Sequence, residues 1–129
     1  MVTLYNILAV DDERGTLKVV EYALFNAPEF KCTVKTAPNA EQALVALSKE
    51  RFDLVVSDYQ MPGMNGIDLL KEVRRLYPST ARIILTAHSD LDVILKALED
   101  ADVDFFVEKP WGKGKLTAAV ANVLREKVK

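Results

Sequence analysis

Four short apolar runs punctuate the chain, and each gives way to a residue bearing a charge or a hydroxyl. Ile7-Leu8-Ala9-Val10 runs into Asp11 and Asp12, and Leu54-Val55-Val56-Ser57 into Asp58. Ile83-Ile84-Leu85 stops at Thr86, and Phe105-Phe106-Val107 leads to Lys109 and Pro110. Unbroken apolar runs of this length suit strands covered on both faces. Helical spacing separates them: Leu17, Val20, Ala23 and Leu24 share one face, and Asn26-Ala27-Pro28 halts that helix because proline cannot continue it. Cys32 to Thr36 alternates like a half-exposed strand, and Asn39 suits the cap of a helix carrying Ala43, Leu44 and Leu47. A helix with Ile67, Leu70, Val73 and Leu76 follows, closed by Pro78. The second half keeps the rhythm: a strand from Arg82 to Leu85, a helix from Leu91 to Leu98, a strand from Val103 to Val107 and a helix from Lys113 to Lys127.

Strands alternating with helices imply right-handed crossovers and a parallel sheet covered on both faces, a doubly wound α/β fold. In such sheets ligands bind at the carboxyl ends of the strands. Asp11, Asp12, Asp58, Thr86 and Lys109 all fall on that edge. Three carboxylates brought together repel one another, so the edge calls for a bound cation or a functional charge.

Composition narrows the field. The chain has 129 residues, half of them hydrophobic and 28% charged, which suits one domain with one core. A net charge of -2 offers no electrostatic footprint for nucleic acid. The single cysteine, Cys32, excludes an internal disulfide and fits a reducing compartment. No stretch approaches the roughly 20 apolar residues that span a bilayer, and the first residues lack a signal-peptide pattern. A cytoplasmic protein is the expectation. The terminal stretch 125–129 is expected to be a solvated helix end or the start of a linker.

Four pieces in this order carry a specific resemblance: Val10-Asp11-Asp12, then Ser57-Asp58-Tyr59-Gln60-Met61-Pro62-Gly63-Met64-Asn65-Gly66, then Leu85-Thr86-Ala87, and last Phe106-Val107-Glu108-Lys109-Pro110. Each is weak alone, but together they resemble the receiver domain of two-component response regulators across residues 1–129. The resemblance implies a flavodoxin-like (βα)5 fold with strand order 2-1-3-4-5 and helices on both faces.

It also implies a chemistry. Asp58 would accept a phosphoryl group from the phosphohistidine of a sensor histidine kinase or phosphotransfer protein, a carboxylate being able to form an acyl phosphate. Asp11, Asp12, Asp58 and the backbone carbonyl of Gln60 would hold Mg²⁺, or Mn²⁺ in its place. Lys109 would contact the phosphoryl oxygens, and in the family the bond to Pro110 is cis. Thr86 and Phe106 would form the switch pair, signalling through the face of the fourth helix, fifth strand and fifth helix to an output domain, a partner or a second copy. No turnover of an external substrate is implied, only labelling and self-dephosphorylation at Asp58, and no direct binding of nucleic acid or membrane.

Several positions depart from the family pattern or admit plainer roles. His88 and Gln60 would flank the path of hydrolytic water and tune phosphoryl lifetime, or His88 is an idle surface group. Of Phe105 and Phe106, strand alternation puts only one in the core. Asp102 stands where receivers often have glycine, and would be strained if left-handed. The acidic stretch from Glu99 to Asp104 reads as a solvated loop or a patch for a basic partner, and Trp111 as a contact anchor if exposed. Two rival classes remain: a dehalogenase-type phosphatase, which wants an aspartate where Gln60 stands, and a degenerate receiver acting only as an interaction module.

Overall fold

The computed structural model describes residues 3–112 and 114–128. The first apolar run forms the inner part of β1 (Leu4–Val10), with Ile7, Leu8, Ala9 and Val10 all buried. The elements that follow are α1 (Arg14–Phe25), β2 (Lys31–Ala37), α2 (Ala40–Lys49), β3 (Leu54–Asp58) and α3 (Gly66–Leu76). Then come β4 (Ala81–Ala87), a 3-10 turn (His88–Asp90), α4 (Leu91–Glu99), β5 (Phe105–Lys109) and α5 (Lys115–Val128). The five strands pair in parallel in the order β2-β1-β3-β4-β5. This is the flavodoxin-like sheet that the four motifs imply.

Period-two alternation sorts each central strand between two cores. Ile7, Ala9, Leu54, Val56, Ile83 and Leu85 pack beneath α1 and α5 with Leu24 and Val120. Leu8, Val10, Val55 and Ile84 pack on the other face with Leu47, Leu70 and Ile94. Each of the valines, leucines and isoleucines among them contributes roughly 1.5–3 kcal/mol by leaving water. Asn39 and Asn65 cap α2 and α3, their side chains accepting from the backbone N–H of Gln42 and Asp68.

The last strand starts two residues later than the apolar pattern suggests. Val103 is buried, but the Asp102 N–H before it is taken by Ala97 O at the end of α4, and the first backbone bond to β4 is Asp104 N–H to Arg82 O. Pairing with β4 begins at Phe105, opposite Ile83. The expected start of the last helix, Lys113, lies outside the described residues, and α5 is helical from Lys115. Residues 125–128 of the expected linker start lie within α5, and residue 129 lies outside the described residues.

The acidic stretch is corrected too. Asp102 is buried and pairs with Arg74 at 3.3 Å, while Asp104 lies 3.7 Å from Arg82. Arg82, itself buried, donates to the carbonyls of Thr80, Ala101 and Asp102. Asp104 thus lies beside a buried guanidinium, and Asp102 is held by the more exposed one of Arg74. The left-handed residue is Ala101, at φ 63°, and not Asp102. Its N–H donates to Leu98 O while Asp102 N–H reaches Ala97 O, the paired bonds of a Schellman stop for α4. A Cβ in that conformation costs about 1 kcal/mol. Ala101→Gly is therefore expected to stabilise the domain by about 0.5 kcal/mol after the added freedom of the unfolded chain is subtracted. Urea unfolding checks it, and a lower midpoint for the glycine variant would count against the assigned strain.

Candidate functional site

The carboxyl ends of β1, β3 and β5 bring four charged side chains together. Asp11 leaves β1 with its N–H donating to Ala37 O at 3.2 Å, and its Oδ1 accepts from the backbone of Glu13 at 2.9 Å. It is 2% exposed, whereas Asp12 beside it faces solvent. Asp58 ends β3, and its backbone is fixed from several sides. Ser57 Oγ donates to its carbonyl, and the next residue, Tyr59, donates to Leu85 O at 2.9 Å. Gly66 N–H then donates to Tyr59 O at 2.8 Å, docking the start of α3 against the strand end. Lys109 Nζ lies 2.8 Å from Asp58 Oδ1 and 3.5 Å from Asp11 Oδ2, and the Lys109–Pro110 bond is cis.

Burial pushes the Asp11 carboxyl above its ordinary value, the Glu13 N–H offsets part of this, and the neighbouring Asp58 adds to the rise. Burial alone would lower Lys109, but its contacts with Asp58 and Asp11 outweigh that and hold it above its ordinary value. The ammonium therefore stays charged at neutral pH and offsets some of the carboxylate repulsion.

One oxygen from each of Asp11, Asp12 and Asp58 falls within 4.8 Å of the others. All are hard oxygen donors, one exposed and two buried, and this donor set fits a small divalent cation that retains some water. Asp12 and Gln60 also line an open cavity of about 520 Å³ with Tyr59, Met61, Pro62 and Gly63. The acidic cluster is thus open to solvent on the Asp12 side.

The structure places the other singled-out residues as follows. Thr86 is buried at the end of β4, and its hydroxyl donates to Ala87 O at 3.2 Å. Phe106 is half-buried against the core beneath α2, α3 and α4, whereas Phe105, on the opposite face, is 44% exposed. Neither ring is fully buried. Trp111 is half-buried against the core beneath α1 and α5. His88 Nδ1 lies 2.5 Å from Glu108 Oε1, and Gln60 Nε2 donates to Asp90 Oδ2 at 3.2 Å. Glu108 and Asp90 were not legible as site neighbours, because their partners lie 20 and 30 residues away.

Gly66 has a role that its place in a motif does not disclose. A Cβ there would stand 2.1 Å from Asp58 O and 2.7 Å from Ile84 Cδ1. Only a residue without a side chain lets α3 meet the end of β3.

Residues 7–121 match the family model described as the response regulator receiver domain. The DNA-binding transcriptional regulator NtrC of Salmonella typhimurium is 36% identical over 118 residues, covering 92% of this chain and 24% of that protein. The response regulator protein PilR of Pseudomonas aeruginosa is 33% identical over 118 residues, covering 92% of this chain and 26% of that protein. The chain thus spans about a quarter of the length of these relatives. Among solved structures, the signal receiver domain of an HD domain-containing protein from Pseudomonas fluorescens superposes with a TM-score of 0.87 at 33% identity, covering 98% of each chain. A response regulator receiver domain protein from Clostridium thermocellum gives a TM-score of 0.87 at 29% identity, covering 96% of this chain and 97% of that one.

Proposed function

Because the chain belongs to the response regulator receiver family of two-component systems, we propose that it is a phosphorylation-dependent switch with Asp58 as its phosphoacceptor. The observation that carries this reading is the charged contact at Asp58: an ammonium 2.8 Å from its Oδ1, with the carboxylates of Asp11 and Asp12 gathered beside it. In this reading an Asp58 oxygen attacks the phosphorus of a phosphohistidine on a sensor histidine kinase or phosphotransfer protein. An O–P bond forms, the N–P bond breaks, and the imidazole leaves with the electron pair.

Asp11, Asp12, Asp58 and the carbonyl of Gln60 would hold Mg²⁺, or Mn²⁺, which when bound neutralises charge on the transferring phosphoryl oxygens. Lys109 meets the same oxygens as a point charge. Its place against Asp58 means that no large movement is needed to bring it there. Thr86 would turn its hydroxyl from Ala87 O toward the phosphoryl group, and Phe106 would follow into the space vacated. Phe106 gains apolar burial by that move because it starts half-buried. Phosphorylation shifts the population only through such contacts, made better in one state than the other.

Residues 1–129 form a single receiver domain in this reading, with residues 125–128 belonging to α5 and not to a linker. The face of α4, β5 and α5 would carry the signal to that domain, a downstream protein or a second copy. The domain itself would not bind nucleic acid, and no helix among the described residues is long and apolar enough to cross a membrane. Work in the cytoplasm beside a histidine kinase suits such a domain. Asp58 would turn over only its own acyl phosphate. A dehalogenase-type phosphatase is disfavoured by Gln60, whose amide does not ionise and so cannot act as general acid or base toward a leaving group.

Incubation with acetyl phosphate and Mg²⁺, followed by intact mass measurement, tests the reading. The wild-type protein is expected to gain one phosphoryl group and to gain none when Mg²⁺ is chelated. A wild-type protein that gains none with Mg²⁺ present refutes it. In this reading Gln60 and His88 flank the path of the hydrolytic water, so Gln60→Asn and His88→Ala are each expected to change the acyl-phosphate half-life by a factor of about 3 or more. Half-lives equal to wild type in both variants would remove these residues from the hydrolytic path.

A further inference from the structure

α4 starts differently from the two helices before it. Asn39 caps α2 and Asn65 caps α3, but no side chain caps α4. The residue at the capping position of α4 is Asp90, one of the best capping types. Its carboxylate is engaged elsewhere, accepting from Gln60 Nε2 at 3.2 Å across the gap to the loop after β3. The backbone of Asp90, at φ -102° and ψ 6°, also departs from the extended geometry seen at Asn39 and Asn65. The 3-10 turn leads straight into α4 and takes the first amide, Leu91 N–H donating to His88 O, but no side chain caps the amides that follow.

The surroundings make the alternative accessible. The turn His88–Asp90 is anchored at its front, where His88 contacts Glu108 on β5. Its rear end, Asp90, is half-buried and tied to Gln60 by an exposed hydrogen bond. α4 itself is lightly embedded, with Ile94 and Ala97 buried while Val93 and Leu95 are about half exposed. Elements with few buried apolar contacts rearrange most readily.

We propose that Asp90 is a positioning residue with two mutually exclusive partners: Gln60, as seen here, or the first-turn amides of α4. In the first state it holds the Gln60 side chain beside the acidic cluster and leaves the first turn of α4 without a side-chain cap. In the second it releases Gln60 and caps α4 at Asp92 and Val93. One carboxylate thereby couples a side chain flanking Asp58 to the order of the helix after β4. The coupling deepens the phosphorylation reading and rests on it for its trigger, since movement of Thr86 would pull directly on this turn. The exchange of partners does not depend on that trigger.

Amide hydrogen exchange on the unphosphorylated protein tests it, comparing wild type, Gln60→Ala, Asp90→Ala and the double variant. Removing Gln60 frees the carboxylate, so exchange at Asp92 and Val93 is expected to slow about fivefold, the size of one N-cap hydrogen bond. The slowing is expected to vanish in the double variant. Exchange that is unchanged or faster in Gln60→Ala, or slowing that persists without Asp90, overturns the proposal. Protection in the five strands reports that each variant is folded. In a separate arm, wild type loaded with acetyl phosphate and Mg²⁺ is expected to show the same slowing. If the wild type takes up no phosphoryl group, the phosphoacceptor reading fails while the comparison of unphosphorylated variants still decides the exchange of partners.

Discussion

Asp58→Asn is expected to take up no phosphoryl group from acetyl phosphate and Mg²⁺ under conditions that label the wild type fully. The substitution preserves shape and removes the nucleophile, since an amide oxygen forms no stable acyl phosphate. It also takes one of three carboxylates from the acidic cluster, so Mg²⁺ affinity is expected to fall by about tenfold or more, or roughly 1.4 kcal/mol, the scale on which a lost charged ligand counts. The fold should survive, because the contacts that fix this strand end are made by backbone: Ser57 Oγ to Asp58 O, Tyr59 N–H to Leu85 O and Gly66 N–H to Tyr59 O. Lys109 keeps an oxygen to bond, though no longer a charged one. Asp11 loses a like-charged neighbour that helps to raise its pKa. Intact mass and Mg²⁺ titration read the two effects separately. Equal labelling of Asp58→Asn and wild type would move the acceptor elsewhere in the cluster and sink the assignment.

The strand-end carboxylates were readable from sequence for a physical reason. A parallel sheet aligns every strand the same way, so residues that end apolar runs must meet on one edge, whatever the helices between them do. Asp11, Asp12, Asp58 and Lys109 needed only that rule. Side chains between loops obey no such rule. Asp90 stands just before α4, and only coordinates reveal that Gln60, 30 residues earlier, holds it. The acidic stretch before β5 misled in the same way. Asp102 and Asp104 look solvated until the fold sets Arg74 against the first and Arg82 beside the second. The strained position was off by one residue, because the Schellman stop of α4 sets which residue turns left-handed, and glycine was absent to mark it. What sequence conveyed was edge and period; what it withheld was which loop side chains pair.

Gly66→Ala is expected to destabilise the domain by about 3 kcal/mol, near the upper end for forcing extra volume into a packed site. The new Cβ would lie 2.1 Å from Asp58 O and 2.9 Å from Asp58 C, and backbone on β3 cannot rotate away as a side chain would. The neighbour at 2.7 Å is Ile84 Cδ1, itself fully buried in β4. Relief therefore requires α3 to retreat from the sheet, stretching the 2.8 Å bond from Gly66 N–H to Tyr59 O and moving the peptide that carries Asp58. Phosphoryl uptake should fall along with stability, since misplacing a reacting group by about 1 Å costs on the order of a hundredfold. Gly63→Ala provides the contrast. Its φ is 77° with nothing within 4 Å of a Cβ, so the cost is local strain of about 1 kcal/mol and the site should keep its geometry. Urea unfolding and phosphorylation rates on the two variants separate steric intrusion at the site from conformational strain beside it. A Gly66→Ala protein as stable and as reactive as Gly63→Ala would mean that α3 yields without disturbing Asp58.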